Sequence, residues 1–172
     1  MIKNIVVILL LFGVSISTSG DCFAQKHNGY YLNPILQGDY ADPSIMRDGS
    51  DYYMTHSSFD YMPGLTVLHS KDLVNWEPIS FALKEYLGSV WAPDILKHGD
   101  KYYIYFTVAG APKGGNYVVW ADSPYGPWSE PVLVKPGKGI IDTCPFWDED
   151  GKVYMVHAYA GSRAGLKLSL IH

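Results

Sequence analysis

The chain has 172 residues and a formal net charge of −4 at neutral pH, from 13 basic and 17 acidic side chains. A mildly acidic chain without a basic cluster lacks the electrostatic pattern of a nucleic-acid-binding protein. Beyond one apolar run at its start, no stretch approaches the roughly 20 apolar residues that span a bilayer. The composition therefore predicts no nucleic acid partner and no membrane span, and it leaves the oligomeric state open.

The N-terminus has the pattern of a secretory signal peptide. Lys3 supplies the positive charge, and residues 5–16 form an apolar run that is too short to span a bilayer. We predict that residues 1–24 are removed, that residues 25–172 form the mature chain, and that this chain is exported to the periplasm or the extracellular space. Attachment of a lipid at Cys22 is a weaker alternative.

A strand pattern recurs with a period near fifty residues. Each copy begins with an aspartate beside a proline, runs through a short apolar strand, turns at a glycine, and continues in a second strand rich in tyrosine and β-branched residues. Glycine turns between apolar strands predict β-hairpins. The copies begin at Asp42, Asp94 and Asp142, and their turn glycines are Gly49, Gly99 and Gly151.

A second hairpin pattern alternates with the first and ends in a tryptophan, at Trp76 and again at Trp128. Each unit of about fifty residues thus holds two hairpins, or four strands, which is the sequence signature of a β-propeller blade. A β-sandwich with accidental similarity is the alternative. The sequence therefore predicts an all-β fold in which two blades are nearly complete and a third begins.

In a propeller, the innermost strand of each blade starts beside the central axis. We therefore expect Asp42, Asp94 and Asp142 to converge at one end of the axial cavity, where burial and like charge raise the pKa of at least one carboxyl. Converging carboxylates suit glycoside hydrolysis or the binding of a hard cation. Nearby aromatic side chains favour a sugar, whereas aspartates that only start strands are the structural alternative.

Several motifs, in chain order, resemble glycoside hydrolase family 43. The resemblance runs from about Asn33 to Gly165 and implies a five-bladed β-propeller, of which this chain holds about two and a half to three blades. It also implies action on β-xylosides or α-L-arabinofuranosides. The motifs are Asn33-Pro-Ile-Leu, Tyr40-Ala-Asp-Pro-Ser-Ile, His69-Ser-Lys-Asp-Leu-Val-Asn-Trp, Val90-Trp-Ala-Pro-Asp-Ile, and Ile141-Asp with Asp148-Glu-Asp-Gly.

The resemblance implies roles for individual residues. Asp42 matches the general base that activates water for inverting attack, and Asp142 matches the aspartate that orients the catalytic acid and modulates its pKa. Oligosaccharides or polysaccharides are the implied substrates. No cofactor and no metal ligand is implied by the motifs, although the family resemblance permits a structural Ca²⁺. The residues that match substrate contacts are Trp91, Asp94, Phe59 and Arg163.

One expected residue has no match. The family's general acid is a glutamate on the following blade, whereas the four glutamates here fall in turns or surface loops. We therefore expect a truncated catalytic domain whose acid lies beyond residue 172 and which is inactive or very weak alone. A non-catalytic carbohydrate-binding propeller fragment is the main alternative, and a transferase on a related propeller is another.

Overall fold

A computed structural model describes residues 29–110, 112–160 and 166–171, and in these ranges every regular element is a β-strand. The predicted all-β class is therefore confirmed. No helix in the described ranges is long and apolar enough to cross a membrane. The predicted signal peptide, residues 1–24, lies outside the described residues.

Within the described ranges, eleven strands form three antiparallel sheets in which neighbouring strands are consecutive in the chain. Two blades were predicted to be nearly complete, with a third beginning, and the structure shows two sheets of four strands and one of three. The first sheet contains β1 (Ser44–Asp48), β2 (Asp51–Thr55), β3 (Gly64–Ser70) and β4 (Glu77–Leu83). The second contains β5 (Ser89–His98), β6 (Lys101–Ala109), β7 (Gly115–Ala121) and β8 (Val132–Pro136), and the third contains β9 (Ile140–Trp147), β10 (Val153–Tyr159) and β11 (Lys167–Ile171).

The hairpin glycines explain why the inner strands turn where they do. The β1–β2 turn lies between the paired residues Asp48 and Asp51, and Gly49 there has a φ of 61°. Gly99 has a φ of 58° in the equivalent β5–β6 turn. Glycine adopts this left-handed conformation at little cost because it has no Cβ. The two inner hairpins are therefore built alike, fifty residues apart.

Buried apolar faces hold neighbouring sheets together. The core between the first and second sheets includes Leu65 and Val67 from β3, Phe106 from β6 and Val119 from β7, none of which is accessible to solvent. A smaller cluster around Met155 joins the second and third sheets. Strand β5 contacts both β1 and β9 at the inner edges of the sheets, so the stacked sheets bring the starts of the three inner strands into one region.

Candidate active site

The structure corrects one sequence expectation about the residues that begin the three units. Counted back from the equivalent hairpin turns, the residue that corresponds to Asp42 in the second unit is Ala92, and Asp94 corresponds to Ser44. Asp42, Ala92 and Asp142 all have left-handed backbone conformations, with φ values of 51°, 35° and 57°. The prediction that an aspartate begins every unit is therefore wrong for the second unit.

Asp94 lies two residues further along β5 than Ala92, the residue that corresponds to Asp42. It belongs to the next layer along the inner strands, with Ser44 and Cys144, whose side chains hydrogen-bond to its carboxyl group. The Ser44 hydroxyl donates a hydrogen bond to Asp94 Oδ1 at 2.8 Å and accepts one from the Ile95 amide at 3.2 Å. Asp94 is therefore bound to protein groups of the neighbouring unit.

Burial sets the charge behaviour of this second layer. It raises the pKa of Asp94 above its usual value, while hydrogen bonds from Ser44 and from the Cys144 thiol act in the opposite direction. The pKa of Cys144 is also raised, by burial and by the negative charge of Asp94. The Cys144 thiol, beside the Asp94 carboxyl group, thus keeps its proton to a higher pH than an ordinary thiol does.

Asp42 is anchored by a buried serine. The Ser57 hydroxyl donates a hydrogen bond to Asp42 Oδ2 at 2.6 Å and accepts one from the Ala92 amide at 2.7 Å. The Ser57 amide also donates to the Ala41 carbonyl at 2.9 Å. Ser57 is only 2% exposed, whereas Asp42 is exposed. The carboxylate predicted to be the base is thus fixed on one side and open to solvent on the other.

Asp142 lies close enough to Asp42 for their charges to interact. Burial raises the pKa of Asp142, and the negative charge of Asp42 raises it further. When two carboxyl groups share a site, one of them retains its proton to higher pH than an isolated carboxyl. The structure therefore brings together two of the three predicted aspartates as a pair with unequal environments.

Two predicted aromatic residues lie on either side of the Ser57 contact. Phe59 exchanges two backbone hydrogen bonds of 2.9 Å with Val90, the residue before Trp91. Trp91 is 37% exposed, and its indole Nε1 donates to Ser89 Oγ at 2.9 Å. Phe59 and Trp91 are thus attached to the backbone segments that place Ser57 and Ala92, next to Asp42.

A cavity of about 350 Å³ lies beside Trp91, between the second and third sheets. Tyr159, which the sequence motifs did not indicate, forms part of its wall and comes from the end of β10. Lys138 and Ile141 line the same cavity. Arg163, the remaining predicted substrate contact, lies outside the described residues.

The glutamates do not complete the pair of aspartates within the described part of the chain. Three of them lie at the hairpin-turn end of their sheets, away from the start of the inner strands, and Glu85 lies in the exposed β4–β5 loop. The three are Glu77, which lies 3.3 Å from His69, Glu130, which follows β7, and Glu149 in the β9–β10 turn. Across the described ranges, no three histidine, cysteine, aspartate or glutamate side chains are grouped as a metal site.

Comparison with protein families gives a match over most of the chain. The family model described as glycosyl hydrolases family 43 matches residues 31–170. A xylan 1,3-β-xylosidase from a Vibrio species is 40% identical over 148 residues, which are 77% of this chain and 27% of that protein. A non-reducing end α-L-arabinofuranosidase from Bacteroides ovatus is 37% identical over 169 residues, 91% of this chain and 30% of that protein.

A solved structure of a similar enzyme shares the fold of this chain. A xylan β-1,4-xylosidase from Bacillus halodurans superposes with a TM-score of 0.70 at 34% identity, over 80% of this chain and 30% of that one. The chain thus spans between a quarter and a third of the length of these relatives.

Proposed function

The chain belongs to glycosyl hydrolase family 43, and we propose that it contributes the base side of an active site that hydrolyses O-glycosidic bonds with inversion. The proposed substrates are plant-type pentose glycans, either β-xylosides or α-L-arabinofuranosides. The observation that carries the proposal is the pair formed by Asp42 and Asp142, in which one carboxylate is anchored and open to solvent and the other has a raised pKa.

In the proposed reaction, Asp42 accepts a proton from a water molecule as the water oxygen attacks the anomeric carbon. The bond from this carbon to the leaving oxygen breaks, and a general acid protonates that oxygen. We propose that this acid is a glutamate outside these 172 residues, since none of the described glutamates lies beside the aspartate pair. Asp142 orients the acid and modulates its pKa.

Trp91 and Phe59 are proposed to form apolar walls against which the C–H face of a pentose packs, and Arg163 remains a proposed substrate contact. The proposed contribution of Asp94 is indirect, because its carboxyl group is bound to Ser44 from the neighbouring unit. We also propose export through a cleaved signal peptide, with no required cofactor, and a structural Ca²⁺ remains a proposal on resemblance alone.

Leaving-group dependence tests this assignment. Without a general acid, an alkoxide must leave unaided, which costs about 10²–10⁴-fold in rate. A dinitrophenolate needs no protonation and avoids this cost. The chain is therefore expected to hydrolyse 2,4-dinitrophenyl β-D-xyloside or α-L-arabinofuranoside slowly and to leave the corresponding methyl glycosides and oligosaccharides intact.

The Asp42→Asn variant is the matched control, because it keeps the shape of the side chain and removes the base. We expect it to lower turnover of the dinitrophenyl substrate by about 10²–10⁴-fold. For the unmutated chain, we expect ¹H NMR of the first product to show the inverted anomer. Turnover that is unchanged in Asp42→Asn, or a product of retained configuration, would contradict the proposal.

The positions of the glutamates favour one other function, carbohydrate binding without catalysis. A binding protein would keep the aromatic walls and have no need of an acid. The two are distinguished by combining two assays of the unmutated chain, since a binding protein would bind xylobiose or arabinobiose in isothermal titration and turn over no dinitrophenyl substrate. Loss of binding in Trp91→Ala is expected under both functions.

A further inference from the structure

We propose that Ser57 is a positioning residue for the Asp42 carboxylate, and that it sets the direction of this carboxylate from the backbone of the neighbouring sheet. The inference deepens the proposed function and depends on it. Ser57 belongs to no motif that indicated the site, and it lies 15 residues from Asp42 and 35 residues from Ala92 in the chain.

The geometry of the hydroxyl group supports this role. Its single proton is donated to Asp42 Oδ2 over 2.6 Å, and its oxygen accepts the Ala92 amide over 2.7 Å. Both contacts are short, and hydrogen bonds to ionised groups are stronger than those between neutral groups. Because Ser57 is 2% exposed, the hydroxyl cannot exchange either partner for water without opening the contact between the sheets.

The backbone on both sides of this hydroxyl explains why it is needed. Asp42 and Ala92 have φ values of 51° and 35°, in the left-handed region that is unfavourable for residues other than glycine. Such conformations persist only where contacts with the surrounding structure hold the backbone in place. Ser57 contacts both residues at once and also binds the Ala41 carbonyl through its amide. One residue thus fixes the carboxylate and the backbone at Asp42 and Ala92.

A positioning role predicts a specific kinetic effect. Ser57→Ala leaves the base in place but allows it to rotate, so the attacking water is misplaced while the sugar-binding walls are intact. Misplacement of a reacting group by about 1 Å costs up to about 100-fold in rate. With a dinitrophenyl pentoside, Ser57→Ala is therefore expected to lower kcat by about 10–100-fold with little change in KM.

Two further variants separate positioning from folding. Ser57→Thr retains the hydroxyl and is expected to restore kcat to within about threefold of the unmutated chain. Ser58→Ala is the matched control, because Ser58 is also buried and its hydroxyl accepts a backbone amide, that of Leu65 at 3.3 Å, without contacting Asp42. It is expected to leave kcat and KM unchanged.

The outcomes distinguish this inference from the proposed function. If the unmutated chain does not hydrolyse either dinitrophenyl substrate, the proposed function fails and this inference fails with it. If the unmutated chain is active and Ser57→Ala has the same kcat, or if Ser57→Thr is as slow as Ser57→Ala, the inference alone is overturned. A fall of equal size in Ser58→Ala also overturns it, since the effect would then come from general loss of packing.

Discussion

Phe106 is a fully buried member of the core between the first two sheets, and its truncation tests how much this core stabilises the fold. It is inaccessible to solvent, and its ring stacks on that of Tyr117 with centroids 5.8 Å apart. A buried aromatic side chain removes on the order of 150–250 Å² from water, which at about 25 cal/mol per Å² corresponds to about 4–6 kcal/mol. Truncation to alanine keeps the Cβ, and measured losses for such changes are about 3–5 kcal/mol.

Phe106→Ala is therefore expected to lower the free energy of unfolding by about 3–5 kcal/mol. For a protein of this size each kcal/mol shifts Tm by roughly 2–4 °C, so the midpoint should fall by roughly 6–20 °C in a thermal scan followed by circular dichroism. The matched control is Phe81→Ala, the same change at a side chain on β4 that is 43% exposed. Its expected loss is about 1 kcal/mol or less.

Equal losses in the two variants, or a loss below about 1 kcal/mol in Phe106→Ala, would refute this account of the packing. The consequence would extend to the site. Ser57 follows the first inner hairpin and Ala92 lies in β5, so the hydrogen bond between them exists only while these two sheets are packed. Weak packing at Phe106 would leave the anchoring of Asp42 without its support.

Two further predictions concern titration. In Asp42→Asn the pKa of Asp142 is expected to fall but to stay above its ordinary value, because burial remains after the neighbouring charge is removed; ¹³C NMR of the side-chain carboxyls measures this, and an unchanged midpoint would show that the two groups do not interact. Hydrogen bonds from Lys71 and His69 lower the pKa of Asp51 from 3.8 to about 2. The stability from this lowered pKa is complete above pH 3.8 and is lost as the pH falls toward 2. Asp51→Asn should therefore be less stable than the unmutated chain above pH 3.8 and approach it near pH 2, which urea unfolding at both pH values tests.

The sequence was sufficient to predict the hairpins, the four-stranded units and two of the aspartates, because the turn glycines mark each unit locally. It misplaced the second unit by two residues. Asp42 precedes a proline, whereas Asp94 follows one, and matching the two by residue type concealed this reversal. The fifty residues between Gly49 and Gly99 place Ala92, not Asp94, opposite Asp42. Register in a sheet is set by hairpin pairing, so the glycines were the better guide for the first two units, whereas the third has a longer turn, between Trp147 and Val153.

The Ser57 contact could not have been predicted in this way. It joins a loop after β2 to the start of β5, and the packing of two separate sheets brings these segments together. Tyr159 is a similar case, since it reaches the cavity beside Trp91 from the third sheet. Contacts of this kind depend on how sheets stack, and residue spacing within one unit carries no information about them.

The alanine at the start of the second unit has a consequence for the chemistry of the first and third. An aspartate at position 92 would place a third carboxylate beside Asp42 and Asp142, and mutual repulsion would favour protonation of at least one of them. Ala92 adds no charge there, and its amide is directed to the Ser57 hydroxyl, whose proton is then available to the Asp42 carboxylate. The unit without an aspartate thus adds no further carboxylate and supplies the amide that fixes the direction of the Asp42 carboxylate, which a general base requires.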